Sequence, residues 1–151
     1  MERIKREYFL NNIIVINRQL SLDNVQGDVT TFRHIVSLGG IVELDKKVVV
    51  TRVDVTIHNG DLEEVLGGLK VDFVYGVSDF DSVFIKREVE IDAEEVLKVL
   101  AQESLAAMRG VMFENFRGTL LHNAYLPIIS SANFGKQFQT EPTAKKGKRK
   151  S

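Results

Sequence analysis

Hydrophobic and polar positions alternate with period two from about Arg33 to Ile91, then change to a three-and-four spacing. In KVVVTRVDVTIHN (47–59), Thr51, Val53, Val55 and Ile57 share one side of an extended chain. Arg52, Asp54, Thr56 and His58 share the other. Successive side chains of a strand point to opposite faces, so this spacing predicts a strand with one buried and one wet face. LKVDFVYGV (69–77) has the same form, with Leu69, Val71, Phe73, Tyr75 and Val77 alternating with Lys70, Asp72, Val74 and Gly76. Asn59-Gly60 between the two runs tolerates positive φ and predicts a hairpin. FRHIVSLGGIVEL (32–44) predicts an earlier strand, with a bulge or bend at Gly39-Gly40 and a turn near Asp45-Lys46. DSVFIKREVEI (81–91) predicts a weaker strand or extended edge, and IIVI (13–16) a further strand. Hairpin connections make the sheet an antiparallel meander rather than a set of βαβ units.

After Asp92 the apolar period becomes helical. Asp92 stands as the N-cap, with Glu95 three residues on, in the manner of a capping box. Val96, Val99, Leu100, Ala107, Met108 and Val111 form one row; Leu97, Ala101, Leu105, Met108 and Met112 form a second. One row suffices to cover a sheet, which leaves the other for a partner. The helix is expected to end between Asn115 and Gly118, with Gly118 in the left-handed position past its end. The predicted fold is therefore α+β: an antiparallel meander of about four strands with a long helix packed on one face. The helix follows the sheet, whereas in hot-dog thioesterases and cystatin-like enzymes it precedes most of it, which argues against those folds.

Charge divides the chain. Residues 136–151 carry six basic side chains against Glu141, a net of +5, which leaves −6 on residues 1–135 from a total of −1. We expect a single domain over 1–134 and a disordered basic tail over 135–151, since the tail has little apolar content to pack. Such a tail suits contact with RNA, a ribosome or another acidic partner, without selecting among them. No apolar run approaches the roughly 18 residues of a membrane helix, and the N-terminal MERIKREYFLNNIIVI lacks the apolar length and cleavage site of a secretion signal. A cytoplasmic location without membrane insertion is expected.

Catalytic chemistry finds few candidates. The absence of cysteine excludes disulfides, thiolate metal sites and thiol nucleophiles. His34, His58 and His122 lie far apart in sequence, without metal-ligand spacing. Gly67-Gly68 precedes a strand rather than a helix, so it marks a bulge or strand start and not a phosphate loop. Asp79 and Asp81 in SDFDS could form a carboxylate pair, but in a turn they more often bind backbone N–H groups or water. No catalytic residue, cofactor or metal is expected.

One segment remains unexplained by folding alone. In RGTLLHNAYLPII (117–129) an Arg-Gly breaks the helix, and a nearly uncharged apolar stretch follows it. Leu120, Leu121, Tyr125 and Leu126, then Ile128 and Ile129, carry no charge; Met108, Met112, Phe113 and Phe116 lie just upstream. Adaptable apolar surface of this kind suits the binding of non-native chains. The bland reading is core or subunit interface. Phe73 and Tyr75 carry the same two readings.

A meander, a long helix, then Arg117-Gly118-Thr119 and Pro127 ten residues after the arginine, resembles the SecB family of protein-export chaperones. The resemblance covers roughly residues 30–130, and the divergent SecB-like proteins paired with toxin–antitoxin systems look closer than the housekeeping form. It implies an ATP-independent holdase chaperone for non-native or pre-export polypeptides, with a loop leading to a final helix. The implied client groove takes Phe113, Phe116, Leu120, Leu121, Tyr125, Leu126, Ile128 and Ile129, and a homotetramer built as a dimer of dimers is implied with it. The housekeeping SecB is strongly acidic and docks the SecA motor on its sheet face. Here Arg52, Lys70 and Lys86 stand among the acids, which argues against SecA docking. The alternative is an adaptor or structural subunit with a dedicated partner, as in a toxin–antitoxin or mobile-element complex, without client holding.

Overall fold

A computed structural model describes residues 6–22, 31–60, 64–87, 93–127 and 138–140. The strands are β1 (Tyr8–Leu20), β2 (Phe32–Glu43), β3 (Val48–Asn59), β4 (Val65–Val77) and β5 (Phe138–Thr140). They form one sheet in the order β1-β4-β3-β2-β5. The first four pair antiparallel, and β5 lies parallel to β2 at Gly40–Val42. β2, β3 and β4 follow one another as the predicted meander. β1 does not join β2 but lies beside β4, which gives the four strands a Greek-key order. Helix α1 (Ala93–Asn115) packs against β3 and β4, completing an α+β fold.

The core lies between the sheet and α1. Val53, Val55, Val71 and Phe73 bury against Val96, Leu100, Leu105 and Met108, in the phases the alternation predicts. The helix buries parts of both apolar rows, including Ala101 and Met112, while Leu97, Ala107 and Val111 stay half-buried. Ser104 is the polar exception on the buried face. Its Oγ donates to the Leu100 carbonyl at 2.8 Å, so at 2.8 Å from the Tyr75 hydroxyl it accepts. Burial raises the pKa of Tyr75 and keeps it neutral.

Two expectations are corrected. The segment from Asp81 begins not as a strand but as a helical turn, Asp81–Ile85. Val83 and Phe84 are consecutive and both buried, which a strand with one core face cannot arrange, and the Phe80 and Phe84 rings meet at 5.0 Å across one turn. Residues 88–91 of that expected strand lie outside the described residues, as does the expected cap Asp92. Gly39-Gly40 makes no bulge: β2 and β3 keep an unbroken register from Phe32↔Asn59 to Glu43↔Val48. Bulges fall instead in β1, between Leu10 and Asn12 and between Val15 and Asn17, and near Ile57, where β4 begins beside Gly67. Phe138–Thr140, within the segment expected as a tail, form β5; the rest of that segment lies outside the described residues.

Among the described residues no helix is long and apolar enough to cross a membrane.

Candidate functional site

The end of α1 is built as the sequence predicts. Gly118 takes φ +81°, the left-handed conformation in which a side chain is strained. The chain then turns at Thr119. Its hydroxyl donates to the Phe116 carbonyl at 2.7 Å and accepts from the Leu121 amide at 3.1 Å. These two bonds start a short 3-10 turn, Leu120–Asn123, from which residues 124–127 run on without regular structure. Residues 119–127 thus form a strap across the end of the sheet.

Two contacts fix its path. Leu121 is buried over β4 at Gly67, where an added Cβ would stand 2.5 Å from Leu121 Cδ1 and 2.7 Å from the Gln19 carbonyl oxygen. Glycine there makes room for the leucine. Three residues later, His34 Nε2 of β2 lies 3.1 Å from the Ala124 carbonyl. A carbonyl only accepts, so Nε2 carries the proton and donates. The strap therefore passes from β4 over β3 to β2. Burial lowers the pKa of His34, and the hydrogen bond to Ala124 opposes the shift.

The strap divides the predicted site residues into two sets. Phe116, Leu121 and Leu126 are buried, with Ala124 between them, so for these the core reading holds. Phe113, Leu120 and Tyr125 face solvent, and Tyr125 is 65% exposed. The Phe113 ring lies 4.4 Å from the His122 imidazole, which joins the helix end to the strap's outer side. Phe116 is covered from another direction: Arg18 of β1 holds its guanidinium 5.9 Å from the ring and donates through Nε to the Asn115 carbonyl at 2.9 Å. Ile128 and Ile129 lie outside the described residues. The structural motif is in place as one device: Arg117 pairs with Glu114 at 3.2 Å, Gly118 turns the chain, Thr119 caps the turn, and Pro127 is exposed. The resemblance implied a final helix after this loop. Beyond Pro127 the described residues are Phe138–Thr140, a strand.

Among the described residues the sheet face away from α1 is open. It holds a groove of about 910 Å³, lined by apolar side chains such as Ile41, Val50 and Val74. Its charges are internally matched. Arg52 binds Asp72 through two bonds of 2.7 and 2.8 Å, which raises the pKa of the arginine, and Lys70 lies 3.7 Å from Asp54. Asp79 and Asp81 do not make a carboxylate pair: Arg6 clasps Asp79 at 2.8 Å and Lys47 holds Asp81 at 3.1 Å. No metal-binding cluster occurs among the described residues.

Sequence reasoning passed over three features. His34 sits on the apolar phase of its strand with Phe32, Val36 and Leu38, and a polar residue in that phase was the available signal. Gly67 reads from the sequence as a bulge or strand start, and a bulge does fall beside it, but its close approach to Leu121 depends on a residue 54 positions away. The third is β1, which extends well beyond IIVI and, among the described residues, has a strand on one side only. Phe9, Leu10, Ile13, Ile14, Val15 and Ile16 are all exposed along it.

The sequence matches no protein-family model and no curated protein.

Proposed function

We propose that this protein is an ATP-independent holdase that binds non-native or pre-export polypeptides on the outer side of the strap. One observation carries the reading: Leu120 and Tyr125 stand exposed on a segment whose other residues Leu121, Ala124 and Leu126 are buried as anchors, with Phe113 exposed at the adjoining end of α1. An apolar surface held on a fixed support meets a client with little loss of its own conformational freedom. The lack of charge along 118–127 suits clients of varied sequence, since no fixed charge selects among them. The Arg117-Gly118-Thr119 break supports the same reading, because it turns the chain out of α1 and onto the sheet. We place the activity in the cytoplasm and the active form as a homo-oligomer, a dimer of dimers. The apolar β1, paired on one side only among the described residues, supports self-association, because an open edge strand offers a row of backbone donors and acceptors.

The test is light scattering of a chemically unfolded, slow-folding protein diluted into buffer without ATP, over a titration of this chain. Suppression should saturate at a fixed stoichiometry. Leu120→Asp with Tyr125→Asp should abolish it and leave the circular dichroism and melting temperature unchanged, since both side chains are exposed. Retained suppression by that variant would remove the strap from the client site. No suppression from a well-folded oligomer would leave the adaptor reading, in which the same exposed residues meet one dedicated partner.

A further inference from the structure

Client binding on the strap leaves the sheet face away from α1 without a role. Directly opposed residues of neighbouring strands point to the same face, so the register reads as rungs across the sheet. One rung is apolar: Ile41 of β2, Val50 of β3 and Val74 of β4. The next runs Gly39, Arg52, Asp72 and, on β1, Ile14. In the third, Asp54 of β3 stands opposite Lys70 of β4. The four central charges therefore alternate in sign both along and across the strands. Arg52 lies 2.7 Å from Asp72 and Lys70 3.7 Å from Asp54, and the square sums to zero. Arg52, Asp54 and Lys70 keep a third or more of their side chains exposed. This pattern decides what suits the face. A partner of one charge sign would meet two charges like its own and two unlike. An apolar partner would strip water from all four and return nothing. The same square turned over offers an opposite charge to each.

We propose that this outer sheet face docks a second copy of the chain, about a two-fold axis that runs along the strands between β3 and β4.

Such an axis lays β3 of one copy over β4 of the other, and β2 over β1. Arg52 then faces Asp72 of the second copy, and Lys70 faces its Asp54. Each contact occurs twice, as a two-fold requires. Val50 faces Val74 of the second copy, so the apolar rungs meet. At the flanks Ile14, which is 41% exposed, comes down on Gly39, where an added Cβ would have nothing within 4 Å. A side chain that protrudes on one edge thus meets the residue that lacks one on the other. An axis across the strands would match the charges too, but it would set Val50 over Thr56 and Ile14 over Asn17. Sheets packed face to face hold their strands within about 30° of each other at a spacing of about 10 Å, which suits an axis near the strand direction. This face names one of the two contacts in the proposed dimer of dimers. It rests on that assembly and not on client holding.

Sedimentation velocity of the full chain over a range of concentrations tests the pair. Gly39→Leu is the first variant. Within one chain its side chain enters open space, so circular dichroism and melting temperature should hold. In the pair it strikes Ile14, and the mass should fall by half. Adding Ile14→Ala to Gly39→Leu should restore the mass. Val50→Asp and Val74→Lys should each weaken pairing at least about a hundredfold, since each buries a charge without a partner. The two chains mixed should pair again, because this axis sets position 50 over position 74. An unsubstituted chain that is monomeric at every concentration would overturn the proposal, as would a mass unchanged in Gly39→Leu and Val50→Asp. If those two variants keep their mass but lose scattering suppression, the face belongs to clients and the pair is wrong. The chain has no cysteine, so a thiol introduced by Gly39→Cys reports alone. Its slow reaction in a monomeric chain would also overturn the pair, and would put a segment of the same chain on the face. Client holding is measured apart from all of these: pairing that responds to the variants as expected, with suppression absent throughout, would keep the interface and remove the holdase.

Discussion

Gly67 and Leu121 are a single fitted pair, and each makes the other's substitution costly. In Gly67→Ala the new methyl would meet both Leu121 and the Gln19 carbonyl, and the backbone oxygen has little room to give. A loss of about 1–3 kcal/mol in denaturant unfolding is expected, with raised accessibility of the strap. Leu121→Ala empties a fully buried position and should cost about 2–5 kcal/mol, whereas its exposed neighbour Leu120→Ala should stay within about 0.5 kcal/mol. Paired urea titrations check the contrast; equal losses would mean that the two leucines do not face opposite ways. The sequence names both leucines as apolar and uncharged but does not say which faces in. That choice is made by contacts remote in the chain, at Gly67 and His34. The strand phases of β3 and β4 were legible for the opposite reason: each is fixed by its own alternation over a sheet with one wet face.

At the scale of elements, the joint between α1 and the strap is fastened by one hydroxyl. Thr119→Ala removes both the bond to the Phe116 carbonyl and the bond from the Leu121 amide. The expected cost is about 0.5–2 kcal/mol by thermal or chemical unfolding, as for other lost caps, and Thr119→Ser should restore most of it. No change in Thr119→Ala would show that apolar burial alone sets the strap's path. The helix and its end at Gly118 were readable because spacing, glycine and the Arg-Gly-Thr break agree. The helical turn at Asp81–Ile85 was not. DSVFIKREVEI alternates loosely enough to pass for a strand, and only the joint burial of Val83 and Phe84 in three dimensions separates the two. The extent of β1 was equally hidden. Its outer residues are apolar on both faces, so the one-face alternation that marks the other strands is missing.

For the whole molecule, the unequal edges of the sheet matter most. Among the described residues β1 is long, apolar and bonded on one side, while β2 carries β5 along Gly40–Val42. If β1 is the surface through which copies associate, Ile13→Lys with Ile14→Lys should lower the assembly by at least one step in light scattering coupled to size exclusion. Circular dichroism should change little, because both side chains are already exposed. An unchanged mass would move the interface elsewhere, the half-buried Leu97, Ala107 and Val111 on α1 being the next surface to alter.

The short parallel β5 then takes on a meaning beyond its three residues. A sheet open at both ends can recruit copies without limit, and two-ended growth is how soluble chains become fibres. Here, among the described residues, a newcomer at Gly40–Val42 of β2 would meet a strand already seated there, while a newcomer at β1 would find an unpaired side. The two edges are thus unlike: among the described residues β1 is unpaired along its outer side, while the β2 edge is covered over three of its twelve residues. Copies that joined at β1 would leave the partly covered β2–β5 side as the outer edge of the pair.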